Sequence, residues 1–413
     1  MPALADAVLP LIRTRTELVR LGAANAHGRQ MHEAINILEQ AIPNVDPAEA
    51  FRVADKALAS AVTVVARADD SSGVIGLACR RLLALHPTLA EAAKVPASRL
   101  VPWMLKFQFD GKVDFFEIDP VAYAPALGAQ GVADYRAALD EVRAGLPPEG
   151  ETGRGHDPGA HTRFVLRHND RRLAVLDRDV DAIIRTHSGD GRVAAWLEDT
   201  AEALEEIGEI DLALDWARRA VDFDKGYQSL AAARYWCKLL AEHRPGELVE
   251  ARLYVFRRWP GSSTAAALHA AAGAEWPSVE AEVMTALRAS PEDAVTFALT
   301  TLKDPALAWR LAHELGLDEA RTWVALLDEY ERIDPVATLP VHRRLVEAAL
   351  EKAAPQNYRV AAARLARMRR LAAGTQEADG VEALIAELRE AHRRRTRLLQ
   401  ELDKALGRES AVG

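Results

Sequence analysis

Residues 69–73, with the sequence DDSSG, hold the residue types best suited to chemistry in this chain. Two carboxylates and two hydroxyls come before a glycine, at the predicted start of a helix. Exposed amides at a helix start can bind an anion, and Ser71 or Ser72 could act as a nucleophile if a base lay nearby. The alternative is a capped turn, in which Asp and Ser side chains accept hydrogen bonds from the first helical amides and Gly73 gives backbone freedom.

The motifs that usually accompany such chemistry are missing from the sequence. It contains no Gly-x-Ser-x-Gly elbow, no Walker loop and no His-Glu-x-x-His pair. Its two cysteines, Cys79 and Cys237, cannot form a four-thiolate metal site. We therefore assign no catalytic residue, expect no metal and no cofactor, and favour the capped turn over an enzyme site at residues 69–73.

Acidic residues are concentrated at residues 196–224, where ten Asp or Glu accompany two Arg. Catalytic carboxylates come as a few groups in a cleft, whereas these are spread over two predicted helices. We interpret them as a solvated face, with an acidic docking face for a basic partner as the functional alternative. The candidate docking residues are Glu202, Glu205, Glu206, Glu209 and Asp215.

Basic residues prevail at residues 343–397, where 13 Lys or Arg accompany seven Asp or Glu. On a helix of 100° per residue, Arg359, Arg367 and Arg370 lie within about 80° of one another. These side chains fit a solvated face, an intramolecular partner for the acidic segment, or a surface that contacts nucleic-acid phosphates. The candidate basic face consists of Arg359, Arg367, Arg370, Arg393, Arg394 and Arg395.

The composition favours helices as the elements that carry these residues. Apolar residues make up 49% of the 413 residues and charged ones 27%, while aromatics make up only 6%. Residues 145–161 hold five glycines and three prolines, which predicts an exposed linker. We expect an all-α chain with an N-terminal helical domain at residues 1–144, this linker, and a helical-repeat domain at residues 162–413.

Two segments of the N-terminal half need separate predictions. Apolar spacing before residue 45 predicts a helix pair that meets near His27 and Gly28. At residues 106–118, alternating Phe residues around Asp110 and Gly111 allow a short β-hairpin. We prefer a helix from about Ser98 to Phe109 that ends at this Asp-Gly pair, because the surrounding sequence is helical.

The stretch at residues 208–226 resembles the turn and second helix of a tetratricopeptide repeat (TPR). Gly208, Ala213 and Ala220 fall where that family uses small residues to pack paired helices closely. The chain departs from the family pattern at Ala217, where a bulky aromatic is usual, and at Lys225, where proline is common. Weaker partial matches follow, at 38 residues from Ala213 to Ala251 and at 28 residues from Ala251 to Val279. Because this spacing is uneven, the resemblance implies an irregular α-solenoid of antiparallel helix hairpins.

The sequence from Val193 to its end resembles the helical region of bacterial SWIM zinc-finger proteins and of a related uncharacterised bacterial family. The resemblance includes a terminal helix with the His-Arg-Arg sequence, here His392, Arg393 and Arg394. The zinc-binding SWIM motif itself, a Cys-x-Cys pair followed by Cys-x-His, is missing. The resemblance therefore implies a helical scaffold and carries no zinc or nucleic-acid role.

These observations favour a non-enzymatic scaffold that binds a protein or peptide partner in the bacterial cytoplasm. The N-terminal segment does not resemble a secretory signal, and no apolar run reaches the length of a membrane span. The net charge of −9 argues against non-specific coating of nucleic acid. The two alternatives are a nucleic-acid-associated protein that uses the candidate basic face and an enzyme with its site at residues 69–73.

Overall fold

The computed structural model describes residues 3–110, 116–147 and 159–407. Within these ranges the chain forms 21 α-helices and four short 3₁₀ helices, and no strand. The prediction of an all-α chain is confirmed. None of the helices in the described ranges combines the length and the apolar character needed to cross a bilayer.

The chain divides into two compact units, Met1–Asp224 and Lys225–Gly413. The first unit contains ten helices within its described residues. They are α1 (Leu4–Ile12), α2 (Leu21–Ala41), α3 (Pro47–Val65), α4 (Val74–Ala92), α5 (Ala97–Phe109), α6 (Pro120–Ala144), α7 (Ala160–Asp177), α8 (Val180–His187), α9 (Ala194–Glu206) and α10 (Ile210–Asp222).

The helix α2 is continuous, so the predicted helix pair meeting at Gly28 is wrong. Glycine is poor inside a helix, and here packing overrides that local preference. A Cβ at Gly28 would lie 2.6 Å from Cγ1 of Val74, the first residue of α4. Gly28 therefore lets α2 and α4 approach closely and does not mark a turn.

The helix α5 confirms the predicted helix that ends at Asp110, and the short β-hairpin near residues 106–118 is not supported. Residues 106–109 are helical, and residues 111–115 lie outside the described residues. The buried side chains of α5 include Leu100, Val101, Met104 and Gln108. This spacing of three and four residues puts them on one helical face against the core, which outweighs the local Asp-Gly signal.

A ring of buried hydrogen bonds joins α5, α6 and α7. The amide of Gln108 donates to the hydroxyl of Tyr135 at 2.8 Å, and that hydroxyl donates to Oδ1 of Asn169 at 2.6 Å. The amide of Asn169 donates back to Oε1 of Gln108 at 2.9 Å. Helices on both sides of the predicted linker thus share one core in the first unit. Residues 148–158 of that linker lie outside the described residues, and the domain division there stays a prediction.

The second unit contains eleven helices within its described residues. They are α11 (Tyr227–His243), α12 (Leu248–Arg258), α13 (Ser262–Ala272), α14 (Glu280–Leu287), α15 (Pro291–Thr300), α16 (Pro305–Glu314), α17 (Ala320–Tyr330), α18 (Leu339–Glu351), α19 (Pro355–Ala372), α20 (Ala378–Ala391) and α21 (Thr396–Gly407). Helices that follow one another pack together, as α12 does with α13, α15 with α16 and α18 with α19. One apolar cluster runs from α12 to α18 and another joins α18 to α21.

Candidate binding surfaces

The candidate acidic residues lie on α9, on α10 and at the turn between them. Gly208 makes this turn with a φ of 83°, a left-handed conformation that favours glycine. Ala213 and Ala217 on α10 are fully buried, so α9 and α10 pack closely. Glu202, Glu205 and Glu206 occupy the last turns of α9, Glu209 follows the glycine, and Asp215 lies on α10.

Glu206 is held by an intramolecular ion pair. Both terminal nitrogens of Arg172 donate to the Glu206 carboxylate at 2.7 Å. The same guanidinium donates to Asp119 at 2.9 and 3.0 Å. The hydrogen bond with Glu206 is the largest cause that raises the pKa of Arg172. Glu206 therefore helps to fix α7 against α9.

Two carboxylates of this surface, Glu209 and Asp215, have no such cation among the described residues. Both side chains are exposed. Glu198, one turn before Glu202, is half-buried, and its pKa is raised by burial, by Glu202 and by Asp199. The negative charge at Glu198 is thus opposed by its surroundings, and a nearby cation would stabilise it.

The candidate basic residue Arg367 takes part in a largely buried network. It donates from Nε to Glu331 Oε2 at 2.8 Å and pairs through Nη1 with Asp328 at 2.8 Å. The other oxygen of Glu331 accepts from Nε2 of His342 at 2.7 Å, and Nδ1 of His342 lies 3.2 Å from Nη1 of Arg364. This network joins the end of α17 to α18 and α19, so Arg367 contributes to the fold.

The other candidate basic residues are exposed, except for Arg395, which is partly buried. Arg395 donates from Nη1 to the backbone oxygen of Leu350 at 2.7 Å, and Arg393 pairs with Glu390. Arg370 is exposed near the end of α19. Arg359 and Arg394 are exposed and form no ion pair with a described residue.

The segment at residues 69–73 forms a capped turn, as the favoured interpretation predicts. Asp70 accepts from the backbone N–H groups of Ile75 at 2.9 Å and Gly76 at 2.7 Å. These are amides of the first turn of α4, which have no partner within the helix. Asp69 accepts from the hydroxyl and the amide of Ser71, and the hydroxyl of Ser72 donates to Asn25.

A family model described as a family of unknown function, DUF6880, matches residues 9–401. The chain belongs to the DUF6880 family. The comparison with curated proteins and the comparison with solved structures each gave no match. The resemblances of this DUF6880 chain to TPR and SWIM-associated helical regions stay predictions.

A buried group in the DUF6880 chain, centred on His86, was missed in the sequence. His86 Nδ1 lies 2.8 Å from the hydroxyl of Tyr123, and its ring stacks on Trp103 with centroids 4.3 Å apart. Its Nε2 faces Asp55 at 3.6 Å. Burial raises the pKa of Tyr123, so its hydroxyl stays protonated. The order Asp55, His86, Tyr123 suits a proton relay, but a buried, protonated hydroxyl is a poor nucleophile. We interpret the group as a structural link between α3 and α6.

The sequence analysis also missed a basic cavity of about 610 Å³ in the first unit. Its wall is formed by residues 13–15, which follow α1, and its floor by one face of α3. The residues of α3 that line it, from Lys56 to Val64, recur at three and four positions, and Arg67 continues this spacing beyond the helix. That helical spacing of basic and hydroxyl residues was a signal available in the sequence.

Proposed function

We propose that this DUF6880 chain is a non-enzymatic scaffold that binds another protein, and that carboxylates of α9 and α10 contact a basic segment of that partner. The observation that carries the proposal is a contrast between neighbouring acids. Glu206 has a bidentate arginine, whereas exposed Glu209 and Asp215 form no ion pair with a described residue. Carboxylates of the second kind keep their charge for a partner.

The helical architecture supports the scaffold part of the proposal. Many successive helices pack together within each unit, as in repeat proteins, and Ala213, Ala217 and Ala220 are fully buried on α10. We propose on this basis that the chain forms an irregular, TPR-like α-solenoid of helix hairpins. A preformed helical surface loses little entropy when it binds a flexible segment. Cys79 and Cys237 are buried and form no disulfide, which suits the bacterial cytoplasm that we propose as its location.

The two alternatives receive less support from the contacts. Nucleic-acid binding by the candidate basic face would need Arg367 and Arg395, whose guanidinium groups are engaged within the second unit. Catalysis at residues 69–73 would need Asp70, whose two oxygens both cap α4. Phosphate contacts by these two arginines and catalysis by Asp70 would each require an internal bond to break, whereas exposed Arg359 and Arg394 would need no such change.

The proposal predicts that charge reversal at Glu209 and Asp215 weakens the binding of a basic peptide. The double variant Glu209→Lys/Asp215→Lys should bind a short lysine-rich peptide about tenfold more weakly or worse, because like charges then face each other. Fluorescence anisotropy with the labelled peptide measures this change. The matched control is Glu33→Lys/Glu91→Lys, which reverses two exposed acids of the same unit that also form no ion pair with a described residue.

Two results would contradict the proposal. One is an equal loss of peptide binding in both double variants, which would show that net charge alone attracts the peptide. The other is equal binding of a glutamate-rich peptide by the unaltered protein. A protein captured from nuclease-treated lysate supports the proposal only if Glu209→Lys/Asp215→Lys loses it and Glu33→Lys/Glu91→Lys retains it.

A further inference from the structure

The cavity beside α3 is lined by four cationic side chains and by no carboxylate. The cationic residues are Arg13, Arg15, Lys56 and Arg67. Of the acids next to these residues in the sequence, Glu17 and Asp69 do not line the cavity, and Asp55 lies 3.5 Å from Arg99 and 3.6 Å from His86. None of the four cations forms an ion pair with a residue that the structure describes. The cavity therefore has a local charge of +4 in a chain whose net charge is −9.

The two arginines that make hydrogen bonds here bond only to neutral acceptors. Arg13 donates from Nε to the hydroxyl of Ser60 at 3.3 Å. Arg67 donates to the backbone oxygen of Thr14 at 3.1 Å and to that of Thr63 at 3.2 Å. These bonds orient the guanidinium groups without neutralising them, and each guanidinium has five N–H donors, so several remain for a ligand.

Two of the hydroxyls that line the cavity already donate to backbone oxygens, which limits the donors available to a ligand. Ser60 donates its hydroxyl hydrogen to the backbone oxygen of Lys56 at 2.7 Å, and Thr63 donates to that of Ala59 at 2.9 Å. The donors left for a ligand are therefore the cationic nitrogens and the hydroxyl of Thr14, which accepts from the backbone N–H of Thr16 at 3.1 Å and donates to no described residue. Such a site selects high negative charge on oxygens, and arginine forks match phosphate geometry.

We propose that this cavity binds an oligophosphate, either an inorganic one or the phosphate chain of a nucleotide. The volume of about 610 Å³ exceeds what a single phosphate needs and lies in the usual range for small-molecule sites. No aromatic side chain lines the cavity, so nothing in it would stack on a base, and recognition falls on the phosphates. The acidic balance of the whole chain opposes a long polyanion such as nucleic acid, whereas a small anion responds mainly to the local charge. This site is separate from the acidic surface of α9 and α10 and does not depend on the scaffold proposal.

The test is isothermal titration calorimetry with tripolyphosphate. The double variant Arg15→Gln/Lys56→Gln removes two cations whose side chains hydrogen-bond to no described residue, so its fold should be unchanged. We expect tripolyphosphate to bind it at least about tenfold more weakly than the unaltered protein, because charge-assisted hydrogen bonds are lost. The variant Arg15→Lys/Lys56→Arg keeps both charges and should keep most of the affinity.

The matched control is Arg29→Gln/Arg185→Gln, which removes two exposed arginines of the same unit that do not line the cavity. This control should bind tripolyphosphate within about twofold of the unaltered protein if the site is local. Equal weakening in both glutamine variants would overturn the proposal, as would absence of tripolyphosphate binding by the unaltered protein. Melting curves of all variants confirm that each is folded.

Two further titrations identify the source of the phosphates. A nucleoside triphosphate that binds more tightly than tripolyphosphate would assign the site to nucleotides, and equal affinities would assign it to the phosphate chain alone. A single-stranded oligonucleotide that binds more tightly than either, and loses that affinity in Arg15→Gln/Lys56→Gln, would overturn the small-molecule proposal in favour of a nucleic-acid site.

Discussion

The arginines in the two basic regions of this DUF6880 chain bond to different kinds of partner. Near the C-terminal end of the second unit, Arg367 pairs with Asp328 and Glu331, and Arg395 bonds to a backbone oxygen. In the cavity beside α3, Arg13 and Arg67 hydrogen-bond only to uncharged acceptors. The region with the larger excess of arginine in the sequence thus has its central arginine bound inside the fold, whereas the smaller group keeps its charge for a ligand.

This contrast shows that a local count of charges does not measure the charge available for binding. A guanidinium in a buried pair stabilises the fold only while its carboxylate partner remains, since an unpaired buried charge is costly. Exposed cations without partners repel one another weakly and contribute little to folding, but an anion in their midst gains from all of them. Changes to the first kind should alter stability, and changes to the second kind should alter ligand affinity.

The largest expected effect is that of Glu331→Ala. Glu331 is 9% exposed at its side chain and bonds to both Arg367 and His342. Its removal leaves Nε2 of His342 without its acceptor, while Arg367 keeps its pair with Asp328, so the free energy of unfolding should fall by about 2 kcal/mol. Urea denaturation followed by tryptophan fluorescence measures this loss, since Trp309 and Trp323 lie in the same unit.

The matched control for that change is Glu329→Ala. The Glu329 side chain is 45% exposed and pairs with Arg332 at 2.6 Å, within one turn of the chain. Its removal should cost less than about 1 kcal/mol, as exposed pairs contribute little. If Glu331→Ala is no more destabilising than Glu329→Ala, then the bonds of Arg367 inside the second unit do not stabilise the fold, and the contrast between the two basic regions is wrong.

A smaller, pH-dependent effect should come from His342 in the same network. Burial lowers the pKa of His342 below its ordinary value, and Arg364 also opposes its protonation. In the unfolded chain it titrates near pH 6.5, so the unfolded state takes up the proton first. The contribution to stability is therefore complete above about pH 6.5 and is lost as the pH falls below that value toward the lower folded pKa.

Denaturation curves at a series of pH values test this dependence. The variant His342→Gln keeps a donor toward Glu331 and should lose part of the decline in stability on acidification. The variant for comparison is His187→Gln in the first unit. Burial also lowers the pKa of His187, to about 4, so this variant should lose part of the same decline. An unchanged pH dependence in both variants would show that acid sensitivity comes from other groups.

Local patterns predicted much of the fold and the capped turn. Composition and apolar spacing gave an all-α chain, and the Asp and Ser residues before α4 indicated the cap that Asp70 forms. The helix that ends at Asp110 was also predictable from its neighbours. In each case the signal is a pattern among residues less than about two helical turns apart, which is the range that sequence patterns report.

The remaining features depend on contacts between residues far apart in the sequence. Glycine is needed at position 28 because Val74 of another helix lies against it. Glu206 is paired because Arg172, 34 residues before it, donates to its carboxylate. The basic cavity brings Arg13 and Arg15 against α3, more than 40 residues later. No periodicity in a single segment specifies such pairs, because they depend on how separate helices pack.

The smallest expected effect concerns the stability of the cavity variants. It tests whether the cations of the cavity beside α3 contribute little to folding. Arg15→Gln/Lys56→Gln removes two like charges from a cluster of four, so the free energy of unfolding should stay the same or rise by about 0.5 kcal/mol or less. Any rise should shrink in high salt, since exposed charges are then screened. Urea denaturation at low and high salt measures it against Arg29→Gln/Arg185→Gln. A loss of more than about 1 kcal/mol would mean that these cations stabilise the fold, as Arg367 does, and that the cavity is not held ready for an anion.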